Sequence, residues 1–560
     1  MILKETGLPL YLMVAISCAG LSSSSPAQQP SQAFLGTIDR PTPKLGFNTN
    51  GHVPPNIPLG ASGANWTQQW FIDSTIYLYP EVLRFPGGTN SNHWDWQTGW
   101  FRSGYQPPST PLTIRVEEFK PGLVGCNAEG LFVVNLETSD VGYEMDGLRH
   151  AAALGLKPAL FELGNEHNLN GGTSYPLQDM SSSAYAQLAK SYYDSIKAVF
   201  PVSKVCAVGG NTGPHPNWHS DILQAIPGID AFAFHVYLTA NNADLVFDVN
   251  RALAIPFGSA SNNTTLPFRY NAAGFSSLSA TKEVWVTEYN LEETQIASTP
   301  VIAKTWTHVL YMTAMNHFFL SQPNVTMMLN HSLAASATHY ESISKTDKHI
   351  TANALSTKLL SDVARGSQRT QNITFSGTPS MTHGSATIPK LIGWRFQHAG
   401  SEKGFLCNFS ADTFSVSLSG VFSNTMQFDQ YSADTAFIVR GLSSLNKYSG
   451  TSTDSIVIYP FSITQVNTAI ATGIRGERTT IRNELRMYPN PSRQSITLQT
   501  DLLLTNGEVI VYSVTGQEIE RIRQLSGNQV KIPTHRLTRG IYFVVLKHLD
   551  RLVTGKFIVD

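Results

Sequence analysis

The sequence predicts a multidomain protein in which a (β/α)8 TIM barrel precedes a β-sandwich and a small all-β C-terminal domain. Two observations predict this order. Apolar strand-like runs alternate with helical patterns from about Leu45 to Leu333, as in repeated βα units around a parallel sheet. After Arg365 the pattern changes to short alternating runs broken by Ser, Gly and Asn, which is typical of a sandwich.

Eight strands are predicted for the barrel. Several are continuously apolar in the middle rather than alternating, which favours parallel strands that are buried on both faces. The predicted strands are residues 44–50, 81–88, 131–137, 158–166, 203–211, 229–237, 282–290 and 325–333.

Helical patterns lie between these strands and after the last one. Apolar residues recur there at spacings of three and four, as on one face of a helix. The predicted helices are residues 140–156, 184–200, 302–320 and 351–365.

The remaining boundaries follow from changes in composition. Residues 468–484 are polar and have no apolar periodicity, so they are interpreted as a linker, and alternating strands resume after them. The predicted organisation is a signal peptide at 1–27, the barrel at 35–366, the sandwich at 367–467, the linker at 468–484 and the C-terminal domain at 485–560. A short N-terminal strand is expected to return to the sandwich.

The first residues predict export. One early Lys precedes an apolar stretch from about Leu8 to Ala19, and Ser25-Pro26-Ala27 fits a signal-peptidase site. Cys18 as a lipoprotein cysteine stays open as an alternative. The apolar stretch is too short for a membrane-spanning helix.

Composition excludes some classes of partner. Lys and Arg number 39 against 40 Asp and Glu, the formal net charge is −1, and charged residues make up 14% of the chain. This balance gives no electrostatic footprint for nucleic acid, so no nucleic-acid partner is expected. Apart from Cys18, the three scattered cysteines Cys126, Cys206 and Cys407 have no CxxC spacing and are expected to be buried thiols.

Polar residues at the carboxyl ends of the predicted strands are the candidates for chemistry, because barrel enzymes place their active sites at that end. They are Asn48, Arg84, Asn135, Asn165, Glu166, Asn211, His235, Tyr237, Glu288, Tyr289, Asn290, Asn330 and His331. Glu166 follows strand four and Glu288 follows strand seven, across the barrel mouth. A retaining glycosidase needs such a pair about 5–5.5 Å apart, one as acid/base and the other as nucleophile.

The motifs around these two residues resemble those of clan A glycoside hydrolases. "LGNE" ends strand four, "VTEYN" ends strand seven, and "LRFPGG", "NHWDW" and "FHVY" resemble the arabinofuranosidase and heparanase/β-glucuronidase branches of that clan. His167 stands where Pro is frequent in the family, so the subfamily stays open.

The resemblance implies a role for each matching residue. Glu166 matches the acid/base, Glu288 the nucleophile and Asn165 the partner of the sugar 2-hydroxyl. Arg84 matches the guanidinium that keeps the nucleophile ionised. His235 and Tyr237 match residues at the floor of the sugar site.

Three further residues are candidates for substrate binding. Asn135 ends strand three, and Trp94 and Trp96 belong to the aromatic-rich loop after strand two. Aromatic faces stack on sugar rings, but such residues also form loop cores, and both interpretations stay open. No ligand set of metal-binding spacing is present, so neither a metal nor a cofactor is expected.

The last 75 or so residues resemble the type IX secretion C-terminal sorting domain. The matching segments are "YPNPS", "VIVYSVTGQEI", "LTRGIYFVVL" and "GKFIVD". The resemblance implies the type IX secretion machinery as a partner and a secreted or cell-surface protein.

The functional prediction is therefore a secreted retaining glycoside hydrolase that acts on a plant or algal polysaccharide or its oligosaccharides. The alternative is a catalytically inactive carbohydrate-binding surface protein or adhesin. The presence of both expected carboxylates argues against that alternative.

Overall fold

A computed structural model gives the architecture of the chain. It describes residues 29–49, 64–102, 114–169, 180–209, 215–241, 248–258, 282–294, 302–335, 340–377, 379–422, 425–469, 485–513, 517–548 and 551–560. The predicted signal peptide lies outside these residues, as does the predicted linker from residue 470 onward. The chain divides into two compact units, Met1–Ala471 and Thr472–Asp560.

The predicted barrel is confirmed. Its eight parallel strands close in the order β10-β11-β2-β3-β6-β7-β8-β9, where elements are numbered along the chain. The strands are β2 (Lys44–Asn48), β3 (Val82–Phe85), β6 (Glu129–Val134), β7 (Leu160–Leu163), β8 (Lys204–Val208), β9 (Ala231–Asn241), β10 (Glu283–Thr294) and β11 (Val325–His331).

Helices lie between the barrel strands and follow the last of them. They are α1 (Gln69–Leu78), α2 (Val116–Cys126), α3 (Val141–Ala153), α4 (Ser182–Val199), α5 (Trp218–Ala225), α6 (Val249–Ala254), α7 (Trp306–Ser321) and α8 (Ala352–Ala364). Side-chain caps mark several starts: Asp140 accepts from the Tyr143 amide and Ser181 from the Ala184 amide, which satisfies amides that a helix leaves unpaired. Among the described residues, no helix combines the length and apolar composition needed to cross a membrane.

The N-terminal boundary of the barrel differs from the prediction. Strand β1 (Gln29–Pro41) pairs with β12 (Arg369–Phe375) and β17 (Phe414–Ser417). Residues 35–41 therefore belong to the sheet that follows the barrel, and the first barrel strand begins at Lys44. This position buries Ala33 of β1 in the apolar core of that sheet.

The predicted sandwich is one nine-stranded sheet in the order β19-β18-β21-β16-β15-β12-β1-β17-β20. The remaining members are β15 (Leu391–His398), β16 (Ser401–Asn408), β18 (Met426–Ser432), β19 (Asn446–Ser452), β20 (Ser455–Ile458) and β21 (Ser462–Ala469). The register of β1 shifts between Leu35 and Asp39. Strands that are far apart in this order share one apolar core, as Phe414 on β17 and Val466 on β21 do.

Two small hairpins complete this unit. Strands β4 (Trp94–Asp95) and β5 (Trp100–Phe101) pair after β3, and β13 (Ser380–His383) pairs with β14 (Ala386–Pro389). The sandwich packs on the barrel helices: Gln465 donates to the Leu359 carbonyl at 2.7 Å, and the Trp306 indole donates to the Phe461 carbonyl at 2.6 Å.

The C-terminal unit is a separate five-stranded sheet with its own apolar core. Its strands are β22 (Arg486–Tyr488), β23 (Ser495–Ser513), β24 (Glu518–Pro533), β25 (Gly540–His548) and β26 (Arg551–Val559). Ile496, Val511 and Val544 are fully buried in it, which accounts for the alternating pattern of the sequence.

The three cysteines after Cys18 are confirmed as buried thiols, since Cys126, Cys206 and Cys407 are free and buried.

Candidate active site

The turn that ends β7 presents Glu166 at the barrel mouth. Gly164 has φ 81° and Glu166 has φ 56°, and a non-glycine residue in this left-handed region is uncommon and concentrates at functional sites. A side chain at Gly164 would lie 2.9 Å from Nε2 of His167, so only glycine fits there. The side chain of Glu166 is 21% exposed and can meet a ligand.

Asn165 is held from both sides by Asn92. The Asn165 amide donates to Oδ1 of Asn92 at 3.1 Å, and Nδ2 of Asn92 donates back to the Asn165 carbonyl at 2.9 Å. Nδ2 of Asn165 then faces Oε2 of Glu166 at 3.4 Å. Asn92 lies in the short 3-10 turn Thr89–Asn92 after β3 and is not among the predicted site residues.

A β-bulge places Glu288 in the barrel mouth. Along β10, the pairing with β9 shifts between Val286 and Glu288, so the strict alternation of side chains is interrupted there. As a result the consecutive residues Thr287 and Glu288 are both buried and both contact site residues.

Both carboxylate oxygens of Glu288 accept hydrogen bonds. Nη1 of Arg84 donates to Oε1 at 2.6 Å and Nδ2 of Asn48 donates to the same oxygen at 3.0 Å. The Tyr237 hydroxyl donates to Oε2. Nδ1 of His331 lies 3.3 Å from Oε2, and Asn48 also contacts that ring nitrogen at 2.7 Å.

These contacts keep Glu288 ionised. Burial alone would raise the pKa of this carboxyl, but His235, His331 and Arg84 and the hydrogen bond from Tyr237 lower it to about 2. Arg84 is the permanent charge in this set, because a guanidinium stays protonated in proteins, whereas burial lowers the pKa of His331.

The two candidate catalytic carboxylates are neighbours. One oxygen of Glu166, one oxygen of Glu288 and a ring nitrogen of His235 all lie within 4.8 Å of one another. His235 stands between them, with Nδ1 at 2.8 Å from Glu166 Oε1 and 3.7 Å from Glu288 Oε2. Burial would lower the pKa of His235, but the negative charges of Glu288 and Glu166 raise it.

The first glycine of "LRFPGG" is required for a steric reason. Gly87 has φ 79°, and a side chain there would lie 2.0 Å from Oδ1 of Asn48. Because Asn48 contacts Glu288, a bulkier residue at position 87 would disturb the carboxylate from a distance.

A third carboxylate, Glu162, lies beneath the pair. It is fully buried in β7 and accepts from Nε of Arg84 at 2.7 Å and from Nη2 at 2.9 Å. Glu162 is not among the predicted site residues, because the bodies of the barrel strands are predicted to form the core. A charged residue inside the apolar run "PALFELGNE" was the available signal, because an unpaired buried charge is rare.

Solved structures share the architecture of the first unit. The GH51 α-L-arabinofuranosidase from Thermotoga petrophila RKU-1 matches with a TM-score of 0.59 at 14% identity, over 78% of this chain and 100% of that chain. The family 51 enzyme AbfB from Bifidobacterium longum has a TM-score of 0.59 at 14% identity, over 78% and 99%. The barrel and sandwich have the fold of family 51 arabinofuranosidases.

An enzyme of another printed specificity shares this architecture. A 4-O-α-L-rhamnosyl-β-D-glucuronidase from Fusarium oxysporum 12S has a TM-score of 0.54 at 14% identity, over 78% of this chain and 99% of that chain. The fold that the resemblance to glycoside hydrolases implied is thereby confirmed. No curated protein sequence matches the chain significantly.

The C-terminal unit matches a family by sequence. Residues 486–560 match the secretion system C-terminal sorting domain, which confirms the predicted resemblance. A sorting domain at this position implies export to the cell surface or the medium.

Within this arabinofuranosidase-like barrel, the structure brings together six of the predicted site residues: Arg84, Asn165, Glu166, His235, Tyr237 and Glu288. Asn48 and His331, two further strand-end residues, join them. Asn211 lies outside the described residues.

Asn135, Trp94 and Trp96 have other contacts. Asn135 accepts from the Glu137 and Thr138 amides and donates to the Trp94 carbonyl, so it shapes the turn after β6. Trp94 is 7% exposed and packs edge-on against Phe85. Trp96 donates from Nε1 to the Tyr143 carbonyl at 2.9 Å and packs against that ring. These contacts favour the interpretation that the three side chains stabilise the loops over the interpretation that they bind a sugar ring.

The trio Glu166, His235 and Glu288 is also the set of described residues whose spacing would fit a metal ion. Two features disfavour a cation there. Both Glu288 oxygens already accept hydrogen bonds, and the Arg84 guanidinium contacts one of them directly, so an incoming cation would meet a fixed positive charge.

Proposed function

We propose that this chain is a secreted retaining glycoside hydrolase, with Glu166 as acid/base and Glu288 as nucleophile. The observation that carries the proposal is the pair itself: oxygens of the two carboxylates within 4.8 Å of each other at the barrel mouth. Carboxylates of retaining enzymes lie about 5–5.5 Å apart, whereas inverting enzymes leave about 6.5–9.5 Å for a water molecule.

The environments of the two carboxylates suit different roles. Glu288 is ionised, has a side chain that is 5% exposed, and is held by Arg84 and Tyr237, as a nucleophile aimed at one carbon atom requires. Glu166 is more exposed, at 21%, and contacts His235. It can therefore meet the leaving-group oxygen and, later, water.

The reaction then has two steps. An oxygen of Glu288 forms a bond to the anomeric carbon while the bond to the leaving oxygen breaks, and Glu166 gives its proton to that oxygen. In the second step Glu166 takes a proton from water, whose oxygen attacks the anomeric carbon and releases Glu288. Two inversions give net retention.

The remaining contacts assign binding roles. Asn165, fixed by Asn92 and Arg84, is proposed to bond the sugar 2-hydroxyl. His235 and Tyr237 line the floor of the sugar site. The substrate is proposed to be a plant or algal polysaccharide or its oligosaccharides, with an α-L-arabinofuranoside as the first compound to test, given the family 51 neighbours. Export is proposed to use the signal peptide and the type IX machinery.

A panel of aryl glycosides tests the proposal. We expect hydrolysis of at least one, with the anomeric configuration of the first product retained when followed by NMR. A 2-fluoro analogue of the active glycoside should label Glu288 and not Glu292 or Glu293. Hydrolysis with inversion would contradict the assigned mechanism. Sugar binding without any hydrolysis would favour the inactive carbohydrate-binding alternative.

A further inference from the structure

Glu162 contacts the supports of both catalytic candidates without reaching the barrel mouth. It is fully buried on β7, four residues before Glu166. One set of contacts leads through Arg84 to Glu288, and the other leads through Thr287 and His235 to Glu166. The proposed function does not use this carboxylate.

The first set of contacts fixes the orientation of a guanidinium. Nε and Nη2 of Arg84 donate to the two oxygens of Glu162 at 2.7 and 2.9 Å. This bidentate geometry defines the plane of the guanidinium, so Nη1 points at Glu288, 2.6 Å away. Nη2 also donates to Oδ1 of Asn165 at 2.8 Å.

The second set of contacts fixes the position of a proton. The Thr287 hydroxyl donates to Oε1 of Glu162 at 3.2 Å, since an ionised carboxylate only accepts. The Thr287 oxygen is then left to accept from Nε2 of His235, also at 3.2 Å. When Nε2 carries the hydrogen of the neutral ring, Nδ1 has a lone pair. Nδ1 can then accept a proton from Glu166, whose Oε1 lies 2.8 Å away.

The β10 bulge makes this second set possible. Thr287 and Glu288 are consecutive, yet one contacts Glu162 and the other contacts Arg84, because the register shifts between Val286 and Glu288. Regular alternation would have turned one of them out of the barrel.

We propose that Glu162 is a positioning residue for both catalytic carboxylates: through Arg84 it orients the guanidinium that holds Glu288, and through Thr287 it fixes a hydrogen on Nε2 of His235, so that Nδ1 is the nitrogen that exchanges a proton with Glu166. This inference rests on the proposed function and adds a residue that does not contact the substrate.

The test uses the full chain with three variants and the wild type. Glu162→Gln keeps the size but leaves only one acceptor oxygen for two N–H groups of Arg84. Thr287→Val removes the hydroxyl that joins Glu162 to His235 and leaves the contacts between Glu162 and Arg84 in place. Cys206→Ala is the matched control, because Cys206 is fully buried and pairs in register with Glu162 on the next strand but contacts neither catalytic candidate.

We expect Glu162→Gln to lower kcat about 100-fold with little change in KM, as for a displacement of catalytic groups. Its trapping by a 2-fluoroglycoside should slow as well. Thr287→Val should slow glycosides with poor leaving groups and leave that trapping unchanged. Cys206→Ala should retain the wild-type kcat, KM and trapping rate.

The outcomes separate the two proposals. A wild-type enzyme that hydrolyses no glycoside, or is labelled away from Glu288, overturns the proposed function and this inference with it. An active wild type whose Glu162→Gln variant keeps the wild-type kcat and trapping rate overturns the inference alone. If that variant does not fold, Thr287→Val decides, because wild-type rates on poor leaving groups in that variant contradict the role of the contacts through His235.

Discussion

The lower and upper layers of the barrel interior are built from the same strands but differ in chemistry. The lower layer is an apolar cluster that includes Val82, Leu160, Ala233, Trp285 and Leu329. Two residues further along the respective strands stand Arg84, Glu162, His235, Thr287 and His331. A step of two residues keeps the same face and rises by about 6.6 Å, so this short distance separates the core from the candidate active site.

The difference shows how the two layers divide their tasks. Buried ion pairs such as Arg84–Glu162 gain little net stability, because removing both charges from water costs as much as their attraction returns. The apolar layer beneath supplies stability through burial. The upper layer can therefore be arranged for chemistry, and substitutions in the two layers should have separable effects.

The largest effect is expected at Glu288. Glu288→Ala removes the proposed nucleophile from the upper layer and should lower kcat by about 10⁵-fold. Azide can occupy the space and attack the anomeric carbon, so activity should partly return and yield a glycosyl azide of inverted configuration. Product NMR checks this. Unchanged hydrolysis would place the nucleophile elsewhere.

Glu166→Gln should be next in size and depends on the leaving group. Glycosides with poor leaving groups need protonation and should slow by about 10²–10⁴-fold. Activated aryl glycosides should keep most of their first-step rate, measured as a pre-steady-state burst. Equal losses on both classes would indicate a structural role for Glu166.

Arg84→Lys should have an intermediate effect. Lys is shorter and has a single ammonium group in place of the branched guanidinium, so it cannot contact Glu162 and Glu288 together. The charged form of Glu288 is then less stabilised. The pKa of Glu288, now lowered to about 2, should rise, and the acid limb of kcat/KM should move up by about one pH unit. An acid limb that stays in place would show that other partners suffice.

Leu131→Ala tests the lower layer. Leu131 is fully buried there, and its truncation should reduce the free energy of unfolding by about 2–5 kcal/mol, measured by denaturant titration. The kcat of the folded enzyme should not change. Val202→Ala is the matched control, since Val202 is 95% exposed and should change stability by less than about 0.5 kcal/mol. A loss of kcat in Leu131→Ala would show that the layers are not separable.

The smallest effect is expected from chelation. Treatment with EDTA followed by dialysis should leave the activity unchanged, because Arg84 and Tyr237 already contact Glu288. Activity that disappears and returns on addition of Zn²⁺ would assign the Glu166, His235 and Glu288 trio to a metal instead.

Much of the fold could be predicted because local sequence patterns indicate where its strands and helices lie. The predicted strand 325–333 is β11 at Val325–His331, and the predicted helix 184–200 is α4 at Ser182–Val199. Barrel strands buried on both faces are continuously apolar, and amphipathic helices repeat at 3.6 residues. Strand β1 confirms the expected N-terminal strand that returns to the sandwich. It also shows the limit, since no local pattern identifies β12 and β17, more than 300 residues away, as its partners.

The candidate site likewise has some features that follow from the local sequence and others that depend on tertiary contacts. The sequence by itself determined that Glu166 follows barrel strand four and that Glu288 belongs to barrel strand seven, because a carboxylate after an apolar run is a local feature and barrel order follows from chain order. The predicted end of strand seven was too early, since β10 continues past Glu288 to Thr294. Only the tertiary structure decided which neighbours serve them. The Arg84–Glu162 ion pair joins residues 78 positions apart, and the Arg84–Glu288 pair joins residues 204 apart. The Thr287 bulge arises from pairing with β9, and the packing of Trp94 and Trp96 depends on α2, α3 and their loops. Such contacts are set by which strands and helices meet in space, and sequence periodicity does not contain that information.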